Sequence, residues 1–235
     1  MVIFWRCKFS KKEGGSGEFF GVFCYEGVLL RVISIYLTKK IMKGYPPEYW
    51  DAFYENGRLG WDIGYVSTPL KEYFDQLTDK SIKILVPGAG NGWEVEYLYG
   101  AGFENVFILD FSPKAVERFK KRFPSFPQDN ILEEDFFDHN EKYNLIVEQT
   151  FFSSLPRNLR PLYVDKMHRL LKPEGKLVGL LFNHEFSFDE PPFGGTPEEY
   201  RRLFEPLFKF KYFDVAYNSI KPRMSRELFV LMLKK

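Results

Sequence analysis

The sequence predicts an α/β fold, doubly wound around a mostly parallel, seven-stranded sheet that ends in an antiparallel pair of strands. Three observations predict it. From Ile82 onward short apolar runs alternate with segments of helical periodicity, as strands and crossover helices of a parallel sheet do. The first of those runs passes directly into a glycine-rich turn and then a helix, the local order of ligand-binding α/β sheets. Near the C-terminus two strand-like runs follow one another with no helix between them, which only an antiparallel pair permits. A chain of 235 residues accommodates one such domain with a full core and is short for two.

Taken in order, residues Pro46 to Tyr54 and Thr68 to Leu77 read as two helices ahead of the sheet, joined by a turn that contains Gly60-Trp61-Asp62-Ile63-Gly64. Residues 82–86 (IKILV) form a buried strand, followed by glycines 88, 90 and 92 and a helix from about Trp93 to Tyr99. Residues 105–110 (NVFILD) form the second strand. Ser112 then caps a helix that has Pro113 at its first position and runs to about Arg122, where Phe123-Pro124 stops it. Residues 144–149 (NLIVEQ) are a strand, Asn158 to Leu171 a helix, and residues 176–182 (KLVGLLF) the next strand, with Lys172-Pro173-Glu174-Gly175 as the break between the last two. Residues 209–218 and 227–235 make the closing antiparallel pair. No repeat or low-complexity tract divides residues 42–235, which are predicted as one layered domain.

Residues 1–41 read differently. They carry seven of the 33 Lys and Arg but only three of the 32 Asp and Glu, and hold both cysteines, Cys7 and Cys24. Their apolar part is interrupted by Glu26 and Arg31, so it makes neither a spanning helix, which needs about 20 apolar residues, nor a convincing signal peptide. The segment is predicted as a disordered extension, or as an upstream misreading of the frame with Met42 as the true start. The remaining body is slightly acidic, which argues against a nucleic-acid substrate, and it has no cysteine. His139, His168 and His184 show no metal-ligand spacing, so no metal site is expected. A cytoplasmic protein that acts on a small molecule, without membrane or nucleic-acid partners and as a monomer or weak homo-oligomer, is the consistent reading.

The chemistry concentrates at the carboxyl ends of the strands. Gly88 and Gly90 let backbone approach a ligand closely, in conformations closed to residues with a Cβ. Trp93 stands where a dinucleotide fold wants its third glycine, which disfavours a nicotinamide cofactor and with it an oxidoreductase. Asp110, at the end of the next strand, is placed to accept two hydrogen bonds from ribose hydroxyls. Asp135 and Phe136 follow the third strand, where an acid can accept from the amine of adenine and an aromatic ring can offer a flat face. Glu148 and Gln149 end the fourth strand, and a glutamate there calls for a ligand to explain it.

The motifs YWDAFYENGRLGWDIG, VPGAGNGWEV, LDFSPKAVERF, EEDFF, YNLIVEQTFFSSLP, LLKPEGKLVGLLF and EPPFGGTPEEYRRLF resemble the thiopurine S-methyltransferase family, within it the plant and microbial thiol and halide methyltransferases. The resemblance covers nearly all of residues 45–235 and implies a class I methyltransferase fold with S-adenosylmethionine as cofactor and S-adenosylhomocysteine as product. It implies that Trp50, Tyr54 and Trp61 belong to an N-terminal helical lid over the cofactor, with Gly88 beneath it. By the same resemblance Asp110 is on the ribose, Asp135 and Phe136 are on adenine, and Gln149 is near the methionine end. An aromatic lid suits a sulfonium, which ring faces stabilise by about 0.5–2 kcal/mol once desolvated. Phe151, Phe152, Pro192 and Phe193 are candidate walls of an apolar acceptor pocket. No catalytic residue is assigned, because a thiol of pKa ~8.5 is partly ionised without a dedicated base. The acceptor expected is a small soft nucleophile: a thiol, hydrosulfide, halide or thiopurine. An oxygen or nitrogen acceptor, or cofactor binding without catalysis, are the alternatives.

Overall fold

The computed structural model describes residues 44–235; the extension predicted over residues 1–41, with its alternative start at Met42, lies outside the described residues. Helix α1 (Pro47–Asn56) has Pro47 at its first position, where a missing N–H costs nothing, and ends at Gly57 in the left-handed conformation. Helix α2 (Thr68–Phe74) turns Leu70 and Phe74 into the core. Strand β1 (Ile84–Pro87) is buried on both faces, as its unbroken apolar run requires. It leads through the glycines into α3 (Trp93–Gly100). Then follow β2 (Val106–Asp110), α4 (Pro113–Arg122), β3 (Ile131–Glu133) and β4 (Tyr143–Gln149). The Ser112 hydroxyl accepts from the Ala115 N–H at 3.1 Å, the cap expected for α4.

The second half comprises a short helix α5 (Phe151–Ser154), α6 (Arg160–Leu170), β5 (Leu171–Phe182), α7 (Pro197–Phe204), β6 (Phe208–Val215) and β7 (Glu227–Lys234). The seven strands lie in the order β3-β2-β1-β4-β5-β7-β6. Pairing is parallel up to β4/β5, and antiparallel at β5/β7 and β7/β6, as the sequence predicted. Strand order reverses between β1 and β4, so the carboxyl ends of these two strands, Pro87 and Gln149, flank the crevice where open α/β sheets bind ligands. Among the described residues no helix is long and apolar enough to cross a membrane.

Three elements differ from expectation, the first being the short helix α5, which the sequence reading did not anticipate. Strand β5 begins at Leu171 rather than residue 176, because Leu171 already pairs with Tyr143; a register shift follows, and Glu174 takes a positive φ of 61° within the predicted break. Helix α7 was not anticipated. Its signal is present in Thr196-Pro197-Glu198-Glu199, where the Thr196 hydroxyl accepts from the Glu199 N–H at 3.2 Å and Pro197 opens the helix.

Candidate active site

All three glycines after β1 have positive φ, 57° at Gly88, 55° at Gly90 and 68° at Gly92, so each conformation is one that favours glycine. What each missing Cβ leaves room for differs. At Gly92 a Cβ would lie 2.6 Å from Phe119 and 2.9 Å from Ile108, so this glycine lets α3 pack closely on α4 and β2. The close-contact role assigned by position to residue 93 thus falls to Gly92. Gly92→Ala is expected to destabilise the fold by about 2–4 kcal/mol, combining backbone strain with overpacking, as measured by urea unfolding. A loss below about 0.5 kcal/mol would show that the turn relaxes freely. At Gly88 the space is filled by Phe151, 2.4 Å from the would-be Cβ. At Gly90 it faces the lid: a Cβ would lie 2.8 Å from the Tyr54 hydroxyl and 3.8 Å from the Trp61 indole nitrogen.

Tyr54 and Trp61 therefore sit directly over the glycine backbone. Their rings meet at 5.9 Å, and Trp61 is backed edge-on by Trp50 at 5.7 Å and by Phe53 at 5.5 Å. Burial and the neighbouring Asp110 push the Tyr54 phenol far above its ordinary pKa, so it stays protonated. The lid is pinned by two carboxylates. Asp51 on α1 accepts from the Ser112 hydroxyl at 2.5 Å and from the Lys114 N–H at 3.2 Å. Asp62 accepts from the Trp93 indole N–H at 2.7 Å, from the Gly64 N–H at 2.8 Å, and from the Asn91 amide. Arg122 covers the other side of Trp93, with its guanidinium 3.8 Å from the ring centroid. Residue 93 is thus an anchor for the lid. The sequence reading missed both acids, although Asp62 lies inside the GWDIG turn it singled out.

Asp110 is 7% exposed, and its two oxygens accept from the main-chain N–H groups of Gly90 and Ser112, each at 2.9 Å. These bonds fix the carboxylate at the mouth of the glycine turn, and burial pushes its pKa up to about 6 against their opposing pull. Asp110 pairs in register with Glu133, so Asp135 and Phe136 follow on the neighbouring strand's loop. Asp135 accepts from the Phe137 N–H at 2.7 Å. Phe136 departs from expectation: it is 3% exposed and packed against Phe151 and Tyr163 at 5.1 and 5.6 Å, so its ring is a core ring. Gln149 lines the crevice, and its Oε1 is buried without a hydrogen-bond partner.

Glu148 is a correction. It needs no ligand: Oε1 accepts from the Phe152 N–H at 2.8 Å, which caps α5, and Oε2 accepts from the Tyr163 hydroxyl. Gly179 on the adjacent strand makes room for it, since a Cβ there would lie 2.4 Å from that of Glu148. Burial pushes its pKa up to about 7. The folded protein therefore keeps a proton that the unfolded chain releases near 4.5. Stability falls as pH rises between those values and levels off above them, by roughly 3 kcal/mol at most for this group. Urea unfolding of the protein and of Glu148→Gln at pH 5 and pH 8 should show a smaller decline in the variant; equal declines would overturn this account.

Of the proposed acceptor walls, Phe152 is also corrected. It is 1% exposed and packs on Tyr163, Tyr200 and Phe204, behind the site. Phe151 stands against Gly88. Pro192 and Phe193 lie half-buried on the loop before α7, where the Phe193 ring is 6.3 Å from Tyr45 and its N–H donates to the Ser153 carbonyl at 2.6 Å. That loop is held from below by Arg160, 0% exposed, which pairs with Glu199 at 2.7 Å and donates to the carbonyls of Phe193 and Gly194 at 3.0 and 2.9 Å.

Along the glycine turn lies a cleft, open to solvent, whose walls include Trp61, Asp62, Gly88, Gly90, Glu94 and Gln149. Two walls are carboxylates and none is Lys, Arg or His. Acidic walls, an orphaned amide oxygen and bare glycine backbone fit a cationic ligand that lies along the turn.

Residues 45–230 match the family described as Thiopurine S-methyltransferase (TPMT). The chain is 32% identical over 185 residues to "Probable thiol methyltransferase 2" of Arabidopsis thaliana, covering 76% of this chain and 81% of that protein. It is 28% identical over 186 residues to "Thiocyanate methyltransferase 1" of Brassica oleracea, with the same two coverages. Among solved structures it is similar in fold to the 1,6-didemethyltoxoflavin-N1-methyltransferase of Burkholderia thailandensis, crystallised with S-adenosylhomocysteine. The TM-score is 0.65 at 13% identity, over 92% of this chain and 93% of that one.

Proposed function

The chain belongs to the thiopurine S-methyltransferase family, and from that premise we propose that it moves a methyl group from S-adenosylmethionine to a small sulfur nucleophile by in-line displacement. The cofactor supplies, when bound, an electrophilic methyl group on a sulfonium. The chain's part is to bind, orient and dry the site. Gly88 and Gly90 offer backbone, Asp110 has the lone pairs to receive a ribose diol, and Asp135 with Phe136 is within one strand of it. Trp61 and Tyr54 form the roof, Trp50 braces Trp61, and Gln149 closes the methionine end. Excluding water favours a reaction in which a cation and an anion lose charge together.

The observation that carries the acceptor class is the chemistry at the carboxyl end of β4. Gln149 and Thr150 line the cleft there and Phe151 stands against Gly88, and none of the three carries a group that titrates near neutral pH. Glu148, the nearest acid in sequence, is turned inward onto Phe152 and Tyr163. An alcohol or amine acceptor must lose a proton during attack and wants a base, whereas a thiolate, hydrosulfide or thiocyanate arrives as an anion. The relatives named for thiol and thiocyanate methylation support the same class.

A radiometric methyl-transfer assay from pH 6 to 9 tests this. Turnover is expected with hydrosulfide, thiocyanate, small aromatic thiols or halides, and none with glycine, catechol, DNA or protein. Turnover of an oxygen, nitrogen or macromolecular acceptor with none of any sulfur or halide nucleophile would overturn the acceptor class. A chain shortened to begin at Met42 is expected to bind S-adenosylhomocysteine as tightly as the full chain, since the family match begins at residue 45; weaker binding would make residues 1–41 part of the functional unit.

A further inference from the structure

Glu94 is the one wall of the cleft whose charge has no evident use. It stands in the first turn of α3, is 6% exposed, and forms no ion pair among the described residues. Its Oε1 accepts from the Ser67 N–H at 3.1 Å. Arg223 acts on it only through space: its direct partners are Glu227, at 3.3 Å, and the Trp61 carbonyl, to which it donates at 2.6 Å. Asp62 adds a second negative charge nearby, and burial together with that charge pushes the Glu94 carboxyl above the usual range. The charge of Arg223 and the Ser67 N–H offset this only in part, and a buried carboxylate with no direct ion pair is costly to fold around.

The same cleft holds an unmet acceptor, the buried Oε1 of Gln149, and the hydroxyl of buried Ser67, next to Glu94 through its N–H, is also without a partner. Two acceptors in one crevice, one of them charged, lack a donor that carries positive charge. S-adenosylmethionine has two cationic centres, of which only the α-ammonium has N–H groups to donate; the sulfonium has none. We propose that Glu94 is the residue that receives the α-ammonium of the cofactor, with Gln149 Oε1 as the second acceptor. The inference rests on the cofactor reading above and is independent of the acceptor.

Calorimetric titration of the full chain separates the two. The probes are S-adenosylhomocysteine, which has the ammonium; S-adenosylmethionine, which adds the sulfonium; and 5′-methylthioadenosine, which keeps adenosine and thioether but lacks the amino-acid tail. Glu94→Gln preserves shape and the bond from Ser67. It is expected to weaken S-adenosylhomocysteine and S-adenosylmethionine alike by about 10- to 100-fold, with 5′-methylthioadenosine unchanged. Gln149→Met should reproduce the pattern at about three- to tenfold, and serves should Glu94→Gln not fold. Unchanged affinity for S-adenosylhomocysteine, equal losses with all three probes, or a loss confined to S-adenosylmethionine would each overturn the assignment. If the unaltered chain binds neither S-adenosylmethionine nor S-adenosylhomocysteine, the cofactor reading itself fails.

Discussion

Replacing Asp110 by alanine is expected to weaken S-adenosylhomocysteine binding by about 3–6 kcal/mol, roughly 10²- to 10⁴-fold, through loss of two charge-assisted hydrogen bonds. The carboxylate already anchors the N–H groups of Gly90 and Ser112, so its orientation is set before any ligand arrives and little ordering cost remains for the ribose. Its pKa of about 6 gives the pH dependence a sign. Binding that needs the ionised form should weaken as pH falls below about 6, and Asp110→Asn should bind weakly at every pH, without that inflection. Calorimetry between pH 5 and 8 measures both. Affinity unchanged in Asp110→Ala would remove the ribose assignment.

Arg160→Ala is expected to destabilise the fold by about 3–5 kcal/mol, the range for a buried ion pair broken on one side. The change strips Glu199 of a buried partner and the carbonyls of Phe193 and Gly194 of a donor, and leaves a cavity beneath Phe152, whose ring centroid lies 4.6 Å from the guanidinium. Arg157 also reaches Glu199, at 3.0 Å, and the Gly194 carbonyl, at 3.1 Å, but from an exposed position where it is screened. Urea unfolding gives the stability, and acceptor KM gives the second readout, since the loop bearing Phe193 loses its tether. A stability loss below about 1 kcal/mol would show that Arg157 substitutes for it.

The sheet was legible because its strands are apolar runs bounded by glycine, proline and cap residues, and a buried parallel strand permits little else. The boundaries of α4 came directly from Ser112-Pro113 and Phe123-Pro124, which are local chemistry. What could not be read depends on contacts distant in sequence. Arg160 lies in a helix where a basic residue ordinarily faces water, and only the return of residues 193–199 buries it. Phe151 and Phe152 are identical as letters, yet one meets Gly88 and the other the core, because α5 turns between them. Glu148 looked like a ligand for the same reason: its partner Tyr163 is 15 residues on, in another element. Asp62 could have been suspected from its place between Trp61 and two glycines, but its partners Asn91 and Trp93 could not.

The position of β7 bears on how the molecule comes into being. The last of the seven strands in chain order is not at the edge of the sheet but between β5 and β6, and Arg223, just ahead of it, reaches back 162 residues to hold the Trp61 carbonyl. Without β7 the sheet is broken between β5 and β6, and Arg223 loses its partner Glu227 beside the Trp61 carbonyl, although every wall of the cleft lies earlier in the chain. Contacts of such sequence separation slow folding and leave β5 as an unpaired edge until β7 arrives. Removal of residues 224–235 thus takes away β7 and Glu227, the ion-pair partner that holds Arg223 beside the Trp61 carbonyl, and loosens one tether of a site to which none of those residues belongs.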